Sequence, residues 1–531
     1  GPRKRARLSM KVLFVEEYLP QEMLGIMWLS RAIKDAGHQC KALFLPDRDW
    51  LRKVTEYDPD VVCFSVTTGM HLYKAELARK IKQVAPRVLT VFGGPHPTFT
   101  PEYLNVEGVD AICRGEGETG IVMLLDKMEA GESYLDTLNL WFKHPETGEV
   151  IQNPTAPLAA DLDSLGFPDR DVIYEAGSIY ADSDRKVFVT QRGCPMPCSF
   201  CFHHAWKKKV YNARNTEYVR KRTVTHVLDE INDVRKRYPL KFVHFLDDIF
   251  NLRGDWLAEF CERYPKEVGL PFDVILMANM TTEKQIRMLK DAGCVYARVT
   301  FEAASDYVRN AVFRKHTTLQ QLTDSAGWIK KYGIRLGSLN MLGGPGGTIE
   351  DEWATVQLNI DCKVDHPLVS IMQPYPEFDI NDMTKEMGYA VAGYDDFPTK
   401  FNRTSSIEFE NKRQIENLHK WFPIVVRYPW LKPIAKRAIS VNALSKVYLV
   451  MYMLYSEYMV AEQAKLYAHA QGLSGPRYWA WVDFTRRLAT KGVLRVYEVL
   501  FARWLQRFAS SRRRLALSLQ MGDERVISHM D

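Results

Sequence analysis

Short apolar runs alternate with amphipathic stretches over residues 10–128. Residues 21–36 and 71–84 repeat apolar side chains at helical spacing and stop before Gly37 and Pro86, which are typical helix ends. The runs between them are rich in Val, Ile, Leu and Phe, as buried strands are. This alternation predicts an α/β fold with a doubly wound, Rossmann-like parallel sheet. The predicted strands are residues 11–15, 41–45, 60–66, 88–92 and 110–113.

A second alternation of strands and helices begins near residue 187. Six apolar runs, each followed by a helical pattern, predict a partial (β/α)6 barrel with its active site at the carboxyl ends of the strands. Residues 129–186 predict a connector with a turn-rich hairpin at 145–149, and helices are predicted after Tyr375. The predicted barrel strands are residues 187–191, 242–246, 272–277, 295–301, 334–341 and 369–373.

These patterns predict the division of the chain into domains. Residues 1–9 resemble the remnant of an expression tag and are left out of the fold prediction. Residues 10–145 form the predicted Rossmann-like domain, and residues 146–180 the linker. The barrel is predicted over residues 181–376, and a mostly helical C-terminal domain that covers the barrel mouth over residues 377–531.

Composition and charge narrow the function. Hydrophobic residues make up 46% and charged residues 26% of the 531 residues, as in packed globular proteins. Without the four basic residues of the tag remnant the net charge falls from +6 to +2, which argues against a nucleic-acid partner. The residues after Met10 lack a secretory signal, and the longest apolar stretch is too short to span a membrane. We therefore expect a cytoplasmic protein whose nine cysteines are reduced.

Three of the cysteines share one loop after the first predicted barrel strand. Cys194, Cys198 and Cys201 have the spacing C-x3-C-x2-C. Three neighbouring thiolates suit a 4Fe–4S cluster whose fourth iron stays open for another ligand. The alternative is a zinc site, which usually needs four protein ligands and would recruit His203 or His204.

At this loop the chain resembles the radical S-adenosylmethionine (SAM) superfamily. The resemblance implies that Cys194, Cys198 and Cys201 are the cluster ligands and that SAM chelates the open iron. It also implies that Phe200 packs near the adenine and that Glu230 contacts the methionine amine. The full set of SAM-binding residues that it implies is Phe200, Glu230, Arg298, Glu302, Gly343, Gly344 and Pro345.

The predicted sheet in front of the barrel extends the resemblance to the cobalamin-binding subclass, the group of the anaerobic magnesium-protoporphyrin IX monomethyl ester cyclases and class B methyltransferases. Ligands of such sheets bind beyond the carboxyl ends of the strands. The chain lacks the Asp-x-His-x-x-Gly motif after its first strand, so cobalt would have no imidazole from the protein. The residues implied to bind cobalamin are Ser65, Thr67, Thr68, Gly93, Gly94, His96, Glu116 and Gly117.

The resemblance implies a radical SAM methyltransferase. A 5′-deoxyadenosyl radical would abstract a substrate hydrogen, and methylcobalamin would methylate an unactivated carbon or phosphorus centre. The alternative keeps the cofactors but is an oxidative cyclase or hydroxylating enzyme without methyl transfer, acting on a lipophilic or tetrapyrrole-like substrate. A non-catalytic cobalamin or iron–sulfur sensor is a third hypothesis, disfavoured because a sensor does not need the SAM-binding residues.

The expected partners are a small-molecule substrate of lipophilic character and an electron donor such as flavodoxin or ferredoxin. Residues 486–514 combine basic side chains with Trp and Phe at helical spacing. Such a helix packs on the barrel or lies peripherally on an anionic membrane. An aromatic cluster, Trp421 to Pro423 with Tyr428 to Trp430, predicts either a roof over the barrel mouth or ordinary core.

Overall fold

The computed structural model describes residues 9–17, 22–45, 47, 49–144, 146–176, 180–398 and 404–470. The chain divides into two compact units, Gly1–Ile439 and Ser440–Asp531. The first unit holds two parallel sheets, and the described part of the second unit is helical.

Eleven strands of the described residues, β1 to β5, β8 and β11 to β15 in the list below, follow the predicted apolar runs closely, because those runs are the segments buried on both faces. They are β1 (Lys11–Glu17), β2 (Gln39–Leu45), β3 (Val61–Ser65), β4 (Leu89–Gly93), β5 (Ala111–Cys113), β6 (Leu140–Lys143), β7 (Val150–Ile151), β8 (Arg185–Phe188), β9 (Gln191–Arg192), β10 (Arg220–Lys221), β11 (Phe242–Phe245), β12 (Phe272–Leu276), β13 (Cys294–Glu302), β14 (Arg335–Leu342) and β15 (His366–Ile371).

Several barrel helices begin at a threonine whose hydroxyl accepts a hydrogen bond from the backbone three residues on, a cap worth about 1 kcal/mol. The helices are α1 (Leu24–Asp35), α2 (Trp50–Tyr57), α3 (His71–Val84), α4 (Pro95–Phe99), α5 (Glu118–Ala130), α6 (Asp171–Tyr174), α7 (Phe202–Ala205), α8 (Asn215–Tyr218), α9 (Val224–Arg237), α10 (Gly254–Glu267), α11 (Glu283–Asp291), α12 (Leu319–Lys331), α13 (Ile349–Asp361), α14 (Asp379–Glu386), α15 (Lys412–Arg427), α16 (Lys432–Ala438) and α17 (Ser445–Ala470). Two turns, Trp206–Val210 and Tyr307–Val312, are π-helical.

The first sheet has the strand order β2-β1-β3-β4-β5-β6-β7. Its first five strands are parallel, as predicted. Val12 and Phe14 pack into the core on one face, while Leu13 and Val15 pack into the core on the other. This alternation explains why β1 reads as a continuous apolar run.

The predicted hairpin does not form a separate connector but joins this sheet. β6 pairs antiparallel with β5, and β7 pairs with β6. β5 is three residues long, and without β6 it would present an open edge. The domain boundaries stay predictions, although the sheet continues to Ile151.

The second sheet is the predicted partial barrel, with the strand order β15-β14-β13-β12-β11-β8 and every pair parallel. A small antiparallel ribbon, β9 with β10, was not predicted because strands of two residues carry no periodic signal. The ribbon places Arg192 opposite Arg220 and leads directly into Gly193 and Cys194.

The aromatic cluster of the C-terminal region divides in two. Trp421 and Phe422 are buried in α15, which packs against β15 and α13, so they are core. Trp430 is 71% exposed. The basic stretch 486–514 lies outside the described residues.

No single helix among the described residues has the length and hydropathy needed to cross a membrane. Pro429–Ala438 and Asn442–Gln463 reach that length and composition when they are counted as one bent pair.

Candidate functional site

The three-cysteine loop directly follows β9, beyond the carboxyl end of the first barrel strand. Cys194 and Cys198 are buried, and Cys201 is half-buried. The three side chains share one apolar group with Met196 and Met277. The loop therefore collects its thiols in a water-poor pocket.

Burial is the largest cause that raises the pKa of Cys194 to about 12, and Asp248 and Cys198 contribute in the same direction. Burial also raises the pKa of Cys201, and the other two thiols of the loop act in the same direction. The thiols are therefore protonated at neutral pH, and iron binding would release their protons.

The donor set of the loop favours a cluster over a single ion. Among the described residues, only His38, Asp126 and Glu129 bring three ligand atoms within 4.8 Å of one another. A structural zinc ion usually takes four protein ligands, whereas this loop offers three thiols. A cubane attaches each thiolate to a different iron, so the donor set fits a 4Fe–4S cluster.

The two neighbouring histidines are engaged elsewhere. His203 bonds through Nδ1 to the Tyr218 hydroxyl at 2.8 Å and through Nε2 to Asp248 at 2.7 Å. His204 bonds through Nε2 to Asp379 at 3.3 Å. The geometry therefore favours supporting roles for both rings over a fourth zinc ligand.

The cysteine loop is anchored to the π-helical turn Tyr307–Val312. The backbone N–H of Ser199 donates to the Phe313 carbonyl at 3.2 Å, and the Ser199 hydroxyl donates to the Val312 carbonyl at 2.6 Å. A π-helical turn is uncommon and is often found at functional sites. These bonds place the residues after the turn beside the cysteines.

Several predicted SAM residues meet at this turn. Phe200 packs edge-to-face on Phe313, with ring centroids 5.2 Å apart. The buried turn of Gly343, Gly344 and Pro345 follows β14. A Cβ on Gly344 would lie 2.9 Å from the Phe313 ring, so glycine is required there for close packing. The structure thus brings Phe200 and the Gly-Pro turn to the same aromatic ring.

Glu302 also reaches this region, at the carboxyl end of β13. Its backbone has φ +60°, a conformation that costs a residue other than glycine about 1–3 kcal/mol. Its carboxylate pairs with the ammonium of Lys315 at 3.2 Å, and both residues are buried. Burial disfavours the charged amine, but Glu302 and Cys198 raise the pKa of Lys315 above its usual value. A buried cation therefore faces the cysteine loop.

Glu230 pairs with two buried arginines of its own. Its carboxylate accepts hydrogen bonds from Arg222 at 2.5 Å and from Arg170 at 2.9 Å, and the residue is 1% exposed. Burial opposes ionisation, but Arg222 and Arg170 lower the pKa of Glu230 below its usual value. The geometry gives Glu230 a structural ion-pair role, and a contact with SAM stays a prediction.

Arg298 lies in the middle of β13. Its guanidinium lies 3.8 Å from the Asp273 carboxylate and 3.4 Å from Nδ1 of His244. These residues form a buried polar group on three neighbouring strands of the barrel. The predicted contact of Arg298 with SAM stays a prediction.

The predicted cobalamin residues line the carboxyl edge of the first sheet. Ser65 is the last residue of β3 and Thr67 lies two residues beyond it, and both are exposed. Gly93, the last residue of β4, pairs with Ser65. Gly94 has φ +99°, and a Cβ there would lie 2.9 Å from the Val66 carbonyl. The edge offers hydroxyls and bare backbone together, which fits a large ligand lying close to the main chain.

His96 faces inward at this edge. It stacks on His71 with ring centroids 4.2 Å apart, and its Nδ1 lies 3.0 Å from the Thr68 hydroxyl. Burial, with His71 adding to it, lowers the pKa of His96 to about 3. The ring is therefore neutral and packed within the domain, where it supports Thr68.

Glu116 and Gly117 occupy the third loop at the edge. The Glu116 carboxylate accepts from Arg192 Nη1 at 3.0 Å and from Arg220 Nη1 at 3.1 Å. Gly117 is half-buried and immediately precedes α5. The structure thus directs Glu116 toward the barrel, and its predicted contact with cobalamin stays a prediction.

Comparison with known proteins identifies the two sheets. Residues 10–125 match the family of B12 binding domains, and residues 188–358 match the Radical SAM superfamily. An uncharacterized methyltransferase of Pyrococcus horikoshii is 30% identical over 367 residues, which are 66% of this chain and 76% of that protein. The chain belongs to the cobalamin-binding radical SAM superfamily.

Two further proteins resemble this radical SAM enzyme. The anaerobic magnesium-protoporphyrin IX monomethyl ester cyclase of Rubrivivax gelatinosus is 27% identical over 413 residues, or 74% of this chain and 71% of that protein. The radical SAM methyltransferase TsrM of Kitasatospora setae, solved with cobalamin and a 4Fe–4S cluster, has a TM-score of 0.60 and 18% identity, covering 73% of this chain and 76% of that one. This likeness confirms the fold. The cofactors of the superfamily are a 4Fe–4S cluster, SAM and cobalamin.

Sequence reasoning missed two sets of residues in this radical SAM enzyme. Lys315 follows the π-helical turn and carries no motif of its own. Arg192 and Arg220 become neighbours only when β9 pairs with β10. The only signal in the sequence was the basic residue Arg192 two positions before Cys194, and it indicated no partner.

Replacing Lys315 by methionine is expected to make the cluster harder to reduce, because a nearby positive charge stabilises the added electron. We expect a change of about tenfold in the reduction equilibrium, or about 59 mV for one electron. An EPR-monitored redox titration of the reconstituted protein measures the shift. Lys315→Arg keeps the charge and should stay near the wild-type potential, and equal potentials in all three proteins would contradict the role of charge.

Proposed function

We propose that this radical SAM enzyme methylates an unactivated carbon or phosphorus centre of a lipophilic small molecule. When bound, SAM and the cluster supply a 5′-deoxyadenosyl radical that abstracts a substrate hydrogen, and cobalamin supplies the methyl group. The relative from Pyrococcus horikoshii is named as a methyltransferase and TsrM is a solved methyltransferase, which supports methyl transfer.

One observation supports this function above the others. The carboxyl edge of the first sheet and the cysteine loop adjoin, because Glu116 at that edge is bonded to Arg192, two residues before Cys194. A reaction that uses a radical from one cofactor and a methyl group from the other needs both at one substrate. Such a reaction therefore requires the carboxyl edge of the first sheet and the cysteine loop to lie next to each other.

We propose the following roles for residues of this chain. Cys194, Cys198 and Cys201 hold three irons, and their buried pocket excludes water from the radical. Phe200, packed on Phe313, borders the place for the adenine of SAM. The other proposed contacts with SAM are Glu302, Gly343, Gly344 and Pro345, and the proposed contacts with cobalamin are Ser65, Thr67, Thr68, Gly93 and Gly94.

The test counts the products formed from SAM. The anaerobically reconstituted enzyme is incubated with cobalamin, SAM bearing a deuterated methyl group, and a panel of tetrapyrroles and lipids. Dithionite replaces the predicted flavodoxin or ferredoxin. Methylation predicts equal amounts of 5′-deoxyadenosine and S-adenosylhomocysteine, with deuterium in the product.

The oxidative alternative is supported by the 27% identity to the cyclase of Rubrivivax gelatinosus. It predicts 5′-deoxyadenosine and an oxidised substrate without S-adenosylhomocysteine or deuterium transfer. That result would replace methylation by oxidation or cyclisation. Absence of 5′-deoxyadenosine with every substrate and without substrate would overturn both functions.

A further inference from the structure

Two arginines face each other immediately before the cysteine loop. Arg192 in β9 and Arg220 in β10 are cross-strand neighbours in the antiparallel ribbon. Like charges in this arrangement repel and destabilise a strand pair. The side chain of Arg220 is 4% exposed and that of Arg192 is 17% exposed, so solvent offers little screening. The ribbon therefore needs acidic partners.

The acidic partners come from the other sheet. The Glu116 carboxylate accepts hydrogen bonds from Arg192 Nη1 at 3.0 Å and from Arg220 Nη1 at 3.1 Å. It also accepts one from Arg220 Nη2. Glu118 accepts from Arg192 Nη2 at 2.6 Å. Burial would raise the pKa of Glu116, but Arg220 and Arg192 together lower it. Two carboxylates of the first domain thus neutralise two guanidinium groups of the barrel.

The loop that carries Glu116 has little freedom to shift. The Tyr211 hydroxyl accepts a hydrogen bond from the Glu116 backbone N–H at 2.6 Å. The side-chain amide of Asn139 donates to the carbonyls of Arg114 and Glu116 at 3.0 and 2.9 Å. A Cβ on Gly115 would collide with the Tyr211 hydroxyl. The position of the Glu116 carboxylate is therefore set by the first sheet and by the barrel together.

On the barrel side the connection to the cysteines is equally short. Gly193 separates Arg192 from Cys194, and its φ is +86°. A Cβ on Gly193 would strike the Tyr218 carbonyl, so this residue is held against the backbone of α8. A displacement of Arg192 would therefore move Cys194 with it.

We propose that Glu116 is a positioning residue that sets the separation between the cobalamin edge and the cluster by clamping Arg192 and Arg220. The inference rests on the proposed function for the identity of the two cofactors. Glu118 strengthens the clamp through Arg192 alone. The carboxylate of Glu116 faces the barrel arginines, and it acts on the cofactors by fixing the elements that hold them.

The test compares Glu116→Gln with Glu217→Gln in the reconstituted holoenzyme. Glu217 pairs with Arg214 on the surface of α8, three residues before Arg220, so its variant removes a nearby carboxylate outside the clamp. With cob(II)alamin and the cluster both reduced to paramagnetic states, EPR measures the relaxation enhancement of cobalt by the cluster, which depends steeply on their separation. In Glu116→Gln we expect the relaxation enhancement to fall and the range of cobalt–cluster separations that it reports to widen. In Glu217→Gln we expect the same enhancement as in the wild type.

Iron and cobalamin contents separate the remaining outcomes. Full loading of both cofactors with an unchanged enhancement would overturn the clamp. Loss of cobalamin from Glu116→Gln with a full cluster would also overturn it, since Glu116 would then be a corrin contact. A wild-type protein that binds no cobalamin would instead refute the proposed function.

If Glu116→Gln folds poorly, a second variant and a measurement without cofactors still test the clamp. Arg192→Lys keeps the charge but loses the two-pronged bonding to Glu116 and Glu118. In the full chain without cofactors, hydrogen exchange of residues 192–201 should become faster in both clamp variants and stay unchanged in Glu217→Gln. Equal exchange in all proteins would overturn the inference whatever the cofactors are.

Discussion

Replacing Cys198 by alanine is expected to abolish assembly of the 4Fe–4S cluster and, with it, the cleavage of SAM to 5′-deoxyadenosine. Cys198 is 5% exposed and lies in the same buried group as Cys194 and Met277. Two remaining thiolates cannot hold three irons of a cubane that already leaves one iron open. Iron and sulfide content, the visible spectrum and the yield of 5′-deoxyadenosine under dithionite measure the loss.

The matched control is Cys261→Ala. Cys261 is a free, half-buried cysteine in α10, outside the cysteine loop, and its variant should keep the full cluster and the full yield. Wild-type iron content in Cys198→Ala would contradict the assignment. One zinc per chain and no iron in the wild type would favour the zinc site instead.

Replacing Glu230 by glutamine is expected to lower the free energy of unfolding by about 3–5 kcal/mol, the usual cost of removing one partner from a buried ion pair. Arg170 and Arg222 are almost fully buried and both bond to this carboxylate. Glutamine cannot neutralise either guanidinium group. Urea denaturation monitored by circular dichroism measures the change, in parallel with SAM binding to the reconstituted protein.

Two comparisons make this prediction decisive. Glu259→Gln removes an exposed pair with Arg263 in α10 and should cost at most about 1 kcal/mol. The double variant Glu230→Gln with Arg222→Met also removes the Arg222 charge, while Arg170 keeps its pair with Glu22, and should recover part of the lost stability. Wild-type stability in Glu230→Gln, together with weakened SAM binding, would instead restore the role that the family resemblance implies.

The two sheets and the cysteine loop could be predicted because their signals are local. An apolar run such as Val12 to Val15 is enough to indicate a strand buried on both faces. Cys194, Cys198 and Cys201 lie within eight residues, so their spacing alone places them in one loop. The residues that follow this loop resemble a family, and the resemblance supplied the cofactors.

The partners of charged residues could not be predicted in this way. Glu230 occupies the expected place on α9, yet its partners are Arg222, eight residues earlier, and Arg170, sixty residues away. Glu116 was expected at the corrin edge, whereas its carboxylate meets Arg192 and Arg220. Charges attract from any direction, so their pairing carries no periodic pattern along the chain.

By itself, the sequence determined the kind of protein: two α/β sheets, a C-x3-C-x2-C loop and the family of both. Hydrophobic periodicity and the close spacing of cysteines both lie within a few consecutive residues, so they can be recognised in the sequence alone. Only the tertiary structure decided that Lys315 faces the cysteines and that Glu116 joins the two domains. The reason is that burial and ion pairing depend on which distant segments meet, and that is settled by the packing of the whole first unit.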